Sequence, residues 1–183
     1  MEQTELMDRM KEKAGLVQAL VSTVTGMEEV LGRTVGITLG QGGKTIVAPG
    51  LDPENLQRLE DLCRAAGLTV LYPPFRPHLS AIHTALTPAD WAIAETGTLV
   101  LDSDSEDLRI ATMLSETHVA WIPVSRIVPD AAALSARLIK KMKSGPGYLA
   151  FITGPSRTAD IERVLAIGVH GPQELHILMM EEP

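Results

Sequence analysis

The chain has 183 residues, 45% of them hydrophobic, a formal net charge of −7 and a single cysteine. A chain of this length fits one domain that buries roughly 70% of its unfolded surface, so no disulfides are needed, and the lone thiol of Cys63 can hold neither an iron–sulfur cluster nor a structural zinc. The acidic balance, with one short basic cluster at Lys140, Lys141 and Lys143, and only two each of Trp, Tyr and Phe, opposes a nucleic-acid partner.

Residues 4 to about 35 carry Leu6, Met10, Leu16, Val17 and Leu20 near helical spacing, broken around Thr23 to Gly26. The expectation is an N-terminal helical arm over residues 1–35, followed by one α/β domain over residues 36–183. The opening MEQTELMDRMKEK lacks the basic and apolar regions of a signal peptide. No run reaches the roughly 20 apolar residues of a membrane span, so the expected location is the cytoplasm. LGQGGK, residues 39 to 44, lacks the spacing and Ser/Thr of a phosphate loop and reads as a turn. KTIVAPG reads as a strand closed by Pro49-Gly50. In LDPENLQRLEDLCRAAG, Asp52 is the expected N-cap, Pro53 the first helical residue and Gly67 the stop, while Leu56, Leu59, Cys63 and Ala66 form one apolar face. Cys63 is therefore expected in the core.

Strand-like runs follow at 68–72, 91–95, 98–101, 118–123, 148–153 and 174–180, with helical patterns after Ser105 and Asp130. The Pro-rich stretch from Pro73 to Pro88 reads as a loop with a short helix. Near-continuous apolar strands alternating with helices predict a mostly parallel sheet covered on both faces.

Three stretches hold more polar chemistry than their turns require. FITGPSRTADIE, 151 to 162, follows a strand and brings Ser156, Arg157, Thr158 and Asp160 together. One reading is an anion site at a helix N-terminus, with Arg157 as a two-pronged clamp. The other is a capped turn with Arg157 paired to Asp160 on the surface. AIAETGTLVLDSDS, 92 to 105, sets Glu95 beside Thr96 and Gly97, where a carboxylate can serve as base, nucleophile or hydroxyl acceptor, or simply bind the turn's N–H groups. If these polar ends form one cleft, the runs 91–101 and 148–153 lie side by side. AIGVHGPQELHILMMEE puts His170 on a Gly-bracketed loop suited to acid/base work. His176 alternates with apolar neighbours as a sheet histidine does, and His118 at a strand start suits either role. His78 and His83 have no supporting ligands at metal-site spacing, so no metal site is expected.

IAETGT, IPVSRIVP, ITGPSRTADIE and IGVHGPQELHILMMEE, in this order, make the chain resemble the LUD-domain family, in its lactate-utilisation C branch, from about residue 88 to 182. MLSETH, residues 113 to 118, departs from relatives that carry a proline before the histidine. The resemblance implies a NagB/RpiA/CoA-transferase-like α/β fold. It also implies a part in oxidation of L-lactate to pyruvate in a complex with iron–sulfur subunits, whose clusters would then be the partners' and not this chain's. On this reading Glu95 and His170 are the catalytic candidates. Thr96, Gly97, Ser156, Arg157, Thr158 and Asp160 bind a small 2-hydroxy or 2-oxo acid. The alternative is a stand-alone transferase or isomerase on a CoA thioester or sugar phosphate, with Glu95 as nucleophile or base.

Overall fold

Apolar runs with a two-residue period build the central sheet of the computed structural model, which describes residues 2–143, 147–159, 165–167 and 171–181. Six parallel strands lie in the order β1 (Leu20–Val24), β12 (Glu174–Met180), β7 (Thr117–Pro123), β4 (Thr84–Pro88), β2 (Thr45–Val47), β3 (Thr69–Leu71). The inner strands β12, β7, β4 and β2 are largely buried on both faces, which is why β12, β7 and β2 read as near-continuous apolar runs. Ile46, Leu86, Val119 and Leu178 point to one face, under α2 (Met27–Gly40) and α3 (Pro53–Ala65). Ala120, Ile122, Leu175 and Ile177 point to the other, where α1 (Gln3–Leu16) adds Leu6, Met10 and Ala14.

That second face also carries α4 (Glu106–Leu114) and a smaller sheet in the order β8 (Ile127–Val128), β5 (Trp91–Ile93), β6 (Thr98–Asp102), β9 (Leu149–Ile152). Here the runs 91–101 and 148–153 are neighbours as expected: β6 pairs antiparallel with both β5 and β9, in this sheet rather than the parallel one. The outer side of the small sheet, Ile93, Val100 and Val128, is closed by Leu134 and Leu138 of α5 (Ala131–Lys143). β10 (Arg157–Ala159) and β11 (Leu165–Ile167) form a separate antiparallel pair.

Helix starts follow their caps. Asp52 accepts from the Asn55 N–H at 3.0 Å with Pro53 behind it, and Asp130 accepts from the Ala133 N–H at 2.8 Å. The 73–88 stretch holds the expected short helix, a 3-10 turn at Arg76–Ala81. Strand β4 was not expected there. Its Thr84 and Thr87 are buried with partners from elsewhere, Thr84 on Thr38 at 2.8 Å and Thr87 on His118 at 2.8 Å. The residues 1–35, expected as a helical arm, hold α1, the strand β1 and the start of α2. β1 pairs in register with β12, Leu20 opposite His176 through Val24 opposite Met180.

Cys63 is 1% exposed, in the cluster of Leu59, Leu68 and Ile46. Burial, helped by the Glu60 charge, pushes its thiol up to about 11. Only the thiolate reacts, so the native protein should resist an aromatic disulfide reagent at pH 8 and yield one thiol per chain once denatured. Rapid modification of the native protein at that pH would contradict this burial.

Candidate functional site

The two polar turns singled out in the sequence meet at the carboxyl end of α1. The turn after β5 is fixed by backbone bonds to the end of β8, from Ala94 N–H to Val128 at 2.9 Å and from Glu95 N–H to Pro129 at 3.0 Å. Gly97 then takes φ +64, and a Cβ on it would lie 2.7 Å from the Lys13 carbonyl carbon and closer still to Ala14 N and Cα. Only glycine lets α1 seat here.

The second turn follows β9. Gly154 has φ +76, and a Cβ would stand 3.3 Å from the Val17 carbonyl carbon and 3.0 Å from the Arg157 Nη2. Val17 is the C-cap of α1, and its carbonyl accepts a hydrogen bond from Arg157 Nη2. A cation at this position meets the negative end of the helix dipole as well as an unsatisfied carbonyl. The turns are joined by hydroxyls: Thr96 Oγ1 to Thr98 Oγ1 at 2.7 Å, and Thr98 Oγ1 to Thr153 Oγ1 at 2.7 Å.

Glu95 lies on this junction, its side chain 51% exposed and 3.7 Å from the Arg9 guanidinium on α1. Arg9 was not singled out in the sequence, since nothing local marks a residue 86 positions before its partner. Thr96 and Arg157 are exposed, Ser156 is half-buried, and the Ser156 N–H donates to the Pro172 carbonyl at 2.8 Å. Thr158 falls on β10, and Asp160 and His170 lie outside the described residues. One expectation is corrected. The residues after Gly154-Pro155 do not open a helix at Arg157; they form β10, paired antiparallel with β11, so among the described residues no helix N-terminus supplies N–H donors beside Arg157. Ser, Thr and Asp in this spacing mimic an N-cap, and the β11 partner outweighs it.

Beside the junction a groove of ≈ 400 Å³ runs along β9, with Thr153, Ser156 and Pro172 towards the turn and Tyr148, Phe151 and Arg109 towards the strand's start. Arg109 stacks 5.5 Å from the centre of the Tyr148 ring and donates to the carbonyls of Ser103 at 2.5 Å and Asp104 at 2.8 Å. Among the described residues no group of three or more His, Cys, Asp or Glu side chains is placed to hold a metal ion.

The layers and the joined turns define an α/β protein with a parallel central sheet and its polar turn residues gathered at one end of the first helix. The LUD domain matches residues 43–180, three quarters of the chain, and the chain belongs to that family. It is similar to lactate utilization protein C of Bacillus licheniformis, 37% identical over 100 residues that make up 53% of this chain and 42% of that one. With lactate utilization protein C of Anoxybacillus flavithermus it shares 45% over 87 residues, 48% of this chain and 39% of the relative. Each match thus takes in about two fifths of the relative's length. The crystal structure of a DUF162 family protein from Deinococcus radiodurans shares the fold, with a TM-score of 0.68 at 22% identity over 98% of this chain and 99% of that one. No helix among the described residues is long and apolar enough to cross a membrane.

Proposed function

We propose that this chain takes part in lactate utilisation as the cluster-free subunit of an assembly that oxidises L-lactate to pyruvate. Similarity to lactate utilization protein C supports the pathway. The observation that carries the binding role is the exposed Arg157, its guanidinium anchored by the Val17 carbonyl, directly after Ser156, which lines the groove together with Thr153. One N–H of the fork is used by Val17, and the rest can face a carboxylate. The hydroxyl proton of the 2-hydroxy acid goes to Glu95 or His170. Oxidation to the 2-oxo acid releases two electrons and two protons; the second proton, from Cα, goes to the other of these two bases or to water, and with one cysteine in this chain the electrons would pass to iron–sulfur clusters of partner subunits.

Arg157→Lys tests this reading. Lysine keeps a donor and a charge for the end of α1, so the melting curve should change by under about 1 kcal/mol. It loses the fork, so lactate oxidation by the reconstituted assembly should fall by about 1.5 to 3 kcal/mol in transition-state terms, roughly ten- to a hundredfold. Wild-type rates from the Arg157→Lys assembly, or lactate turnover by the isolated chain with an artificial acceptor, would overturn the assignment.

A further inference from the structure

A second cavity, of ≈ 610 Å³, opens at the other end of β5 from Glu95, lined by Trp91, Ser125, Arg126, Arg137, Lys140 and Lys141. Four of its six lining residues are cationic and none is acidic, in a chain of net charge −7. Lys141 is held by Asp102 and Asp104. Among the described residues no ion pair involves Arg126, Arg137 or Lys140. Like charges gathered on one wall repel one another, and only water and counterions offset that repulsion until a ligand of opposite sign enters.

The position adds a second argument. Arg126 ends the 3-10 turn Val124–Arg126 that follows directly on β7, and Trp91 stands three residues beyond the end of β4, the strand beside β7. The cavity is thus bounded by the segments that leave β4 and β7 and by α5 on the outer side of the small sheet. Helix α5 supplies the wall: Leu134 and Leu138 pack it on the small sheet, which leaves Arg137, Lys140 and Lys141, at spacings of three and four, along the rim. Trp91 packs against the same cluster and is half-buried, a fixed indole at the edge of a cationic wall.

We infer that this cavity binds a small molecule carrying two or more phosphates, through Arg126, Arg137 and Lys140, with a planar group placed against Trp91. A single carboxylate needs one guanidinium. Two guanidinium groups and an ammonium match the charge and the several acceptor oxygens of a diphosphate. The site is separate from the Arg157 turn, so it stands or falls independently of the lactate reading.

Binding is measured by tryptophan fluorescence and calorimetry, with pyrophosphate, ADP, orthophosphate and lactate as probes. Pyrophosphate and ADP should bind, orthophosphate at least about tenfold more weakly, lactate not at this site, and added salt should weaken all binding. ADP should quench the fluorescence of the wild type but not of Trp91→Phe. The exposed pair Arg137→Gln/Lys140→Gln should leave the melting temperature in place and weaken both diphosphates about tenfold or more, while Arg157→Lys leaves them unchanged. No binding of pyrophosphate or ADP at millimolar concentration, equal binding by the double variant, or a site that takes an acidic peptide in their place would each overturn the inference.

Discussion

Gly97→Ala should destabilise the protein by about 2 to 5 kcal/mol, combining ~1–2 for a side chain in the left-handed region with ~1–3 for forced overpacking. The melting temperature should fall by roughly 5 to 15 °C for a chain of this size. The added methyl would meet backbone atoms of Lys13 and Ala14, which cannot rotate away as a side chain would. The end of α1 must therefore lift, and with it the Val17 carbonyl that holds Arg157. Gly42 supplies the control, with φ +74 and nothing within 4 Å of an added Cβ. Gly42→Ala should cost only the conformational part, about 1 to 2 kcal/mol. Trypsin should also cut Gly97→Ala sooner at Arg9, Lys11 and Lys13. Equal melting of the two variants would show that α1 does not press on the turn.

Stability should fall between pH 6.5 and about 4 because of one histidine. His118 is 1% exposed on β7, its Nε2 2.8 Å from Thr87 Oγ1, and burial pulls its pKa from 6.5 down to about 4. Above 6.5 both folded and unfolded states keep it neutral, and the full stability is present. Below 6.5 the unfolded chain takes up a proton that the folded one refuses, so stability drops by about 1.4 kcal/mol per pH unit until the folded state also protonates near pH 4. The total is about 3 kcal/mol. Glu29, Asp52 and Asp104 act elsewhere on the scale. Backbone N–H groups of Thr25, Asn55 and Tyr148 are the main causes that hold these carboxyls below their usual range. Their stabilisation is present above the ordinary carboxylate range and is lost only as pH falls through it. Denaturant titrations at pH 7, 5.5 and 4.5 on wild type and His118→Leu check the assignment. His118→Leu should be less stable at pH 7, with Thr87 unpartnered, but should lose much less between pH 6.5 and 4.5. Parallel losses in the two proteins would place the titrating group elsewhere.

Strands whose residues are apolar on both faces were legible in the sequence. β2, β3, β5, β9 and β12 fall within the expected runs, β6 and β7 overrun theirs by one residue, and the caps Asp52 and Asp130 start their helices as their side chains predict. What escaped depends on partners distant in sequence. LVSTV at β1 mixes hydroxyls with Val beside Thr25-Gly26 and looks like a helix break, yet it is an edge strand that needs only one hydrogen-bonding neighbour. TALTP at β4 reads as a loop because it closes the irregular, Pro-rich stretch that ends at Pro88, whereas its threonines are satisfied indoors by Thr38 and His118. In the candidate site, Glu95 to Gly97 and Ser156-Arg157 were visible as polar clusters on turns, and the structure brings those turns together. The Arg157 contact with Val17, 140 residues away, has no local signature. The same holds for the cationic cavity: Lys140 and Lys141 stood out as neighbours, but Arg126 and Trp91 join them only through the path of the small sheet.

The place of β12 constrains how the molecule can be made. It is an interior strand, with β1 on one side and β7 on the other, so residues 174–180 form the bridge between residues 20–24 and 117–123. While the chain leaves the ribosome, β1 lacks its sheet partner until residues 174–180 follow. Its Leu20 to Val24 segment waits until then with unmet backbone groups, a template for any other extended chain. Closure then depends on a contact between residues more than 150 apart, the kind of pairing that slows folding. α1, seated on Gly97, can keep the start of β1 in place only after the small sheet exists.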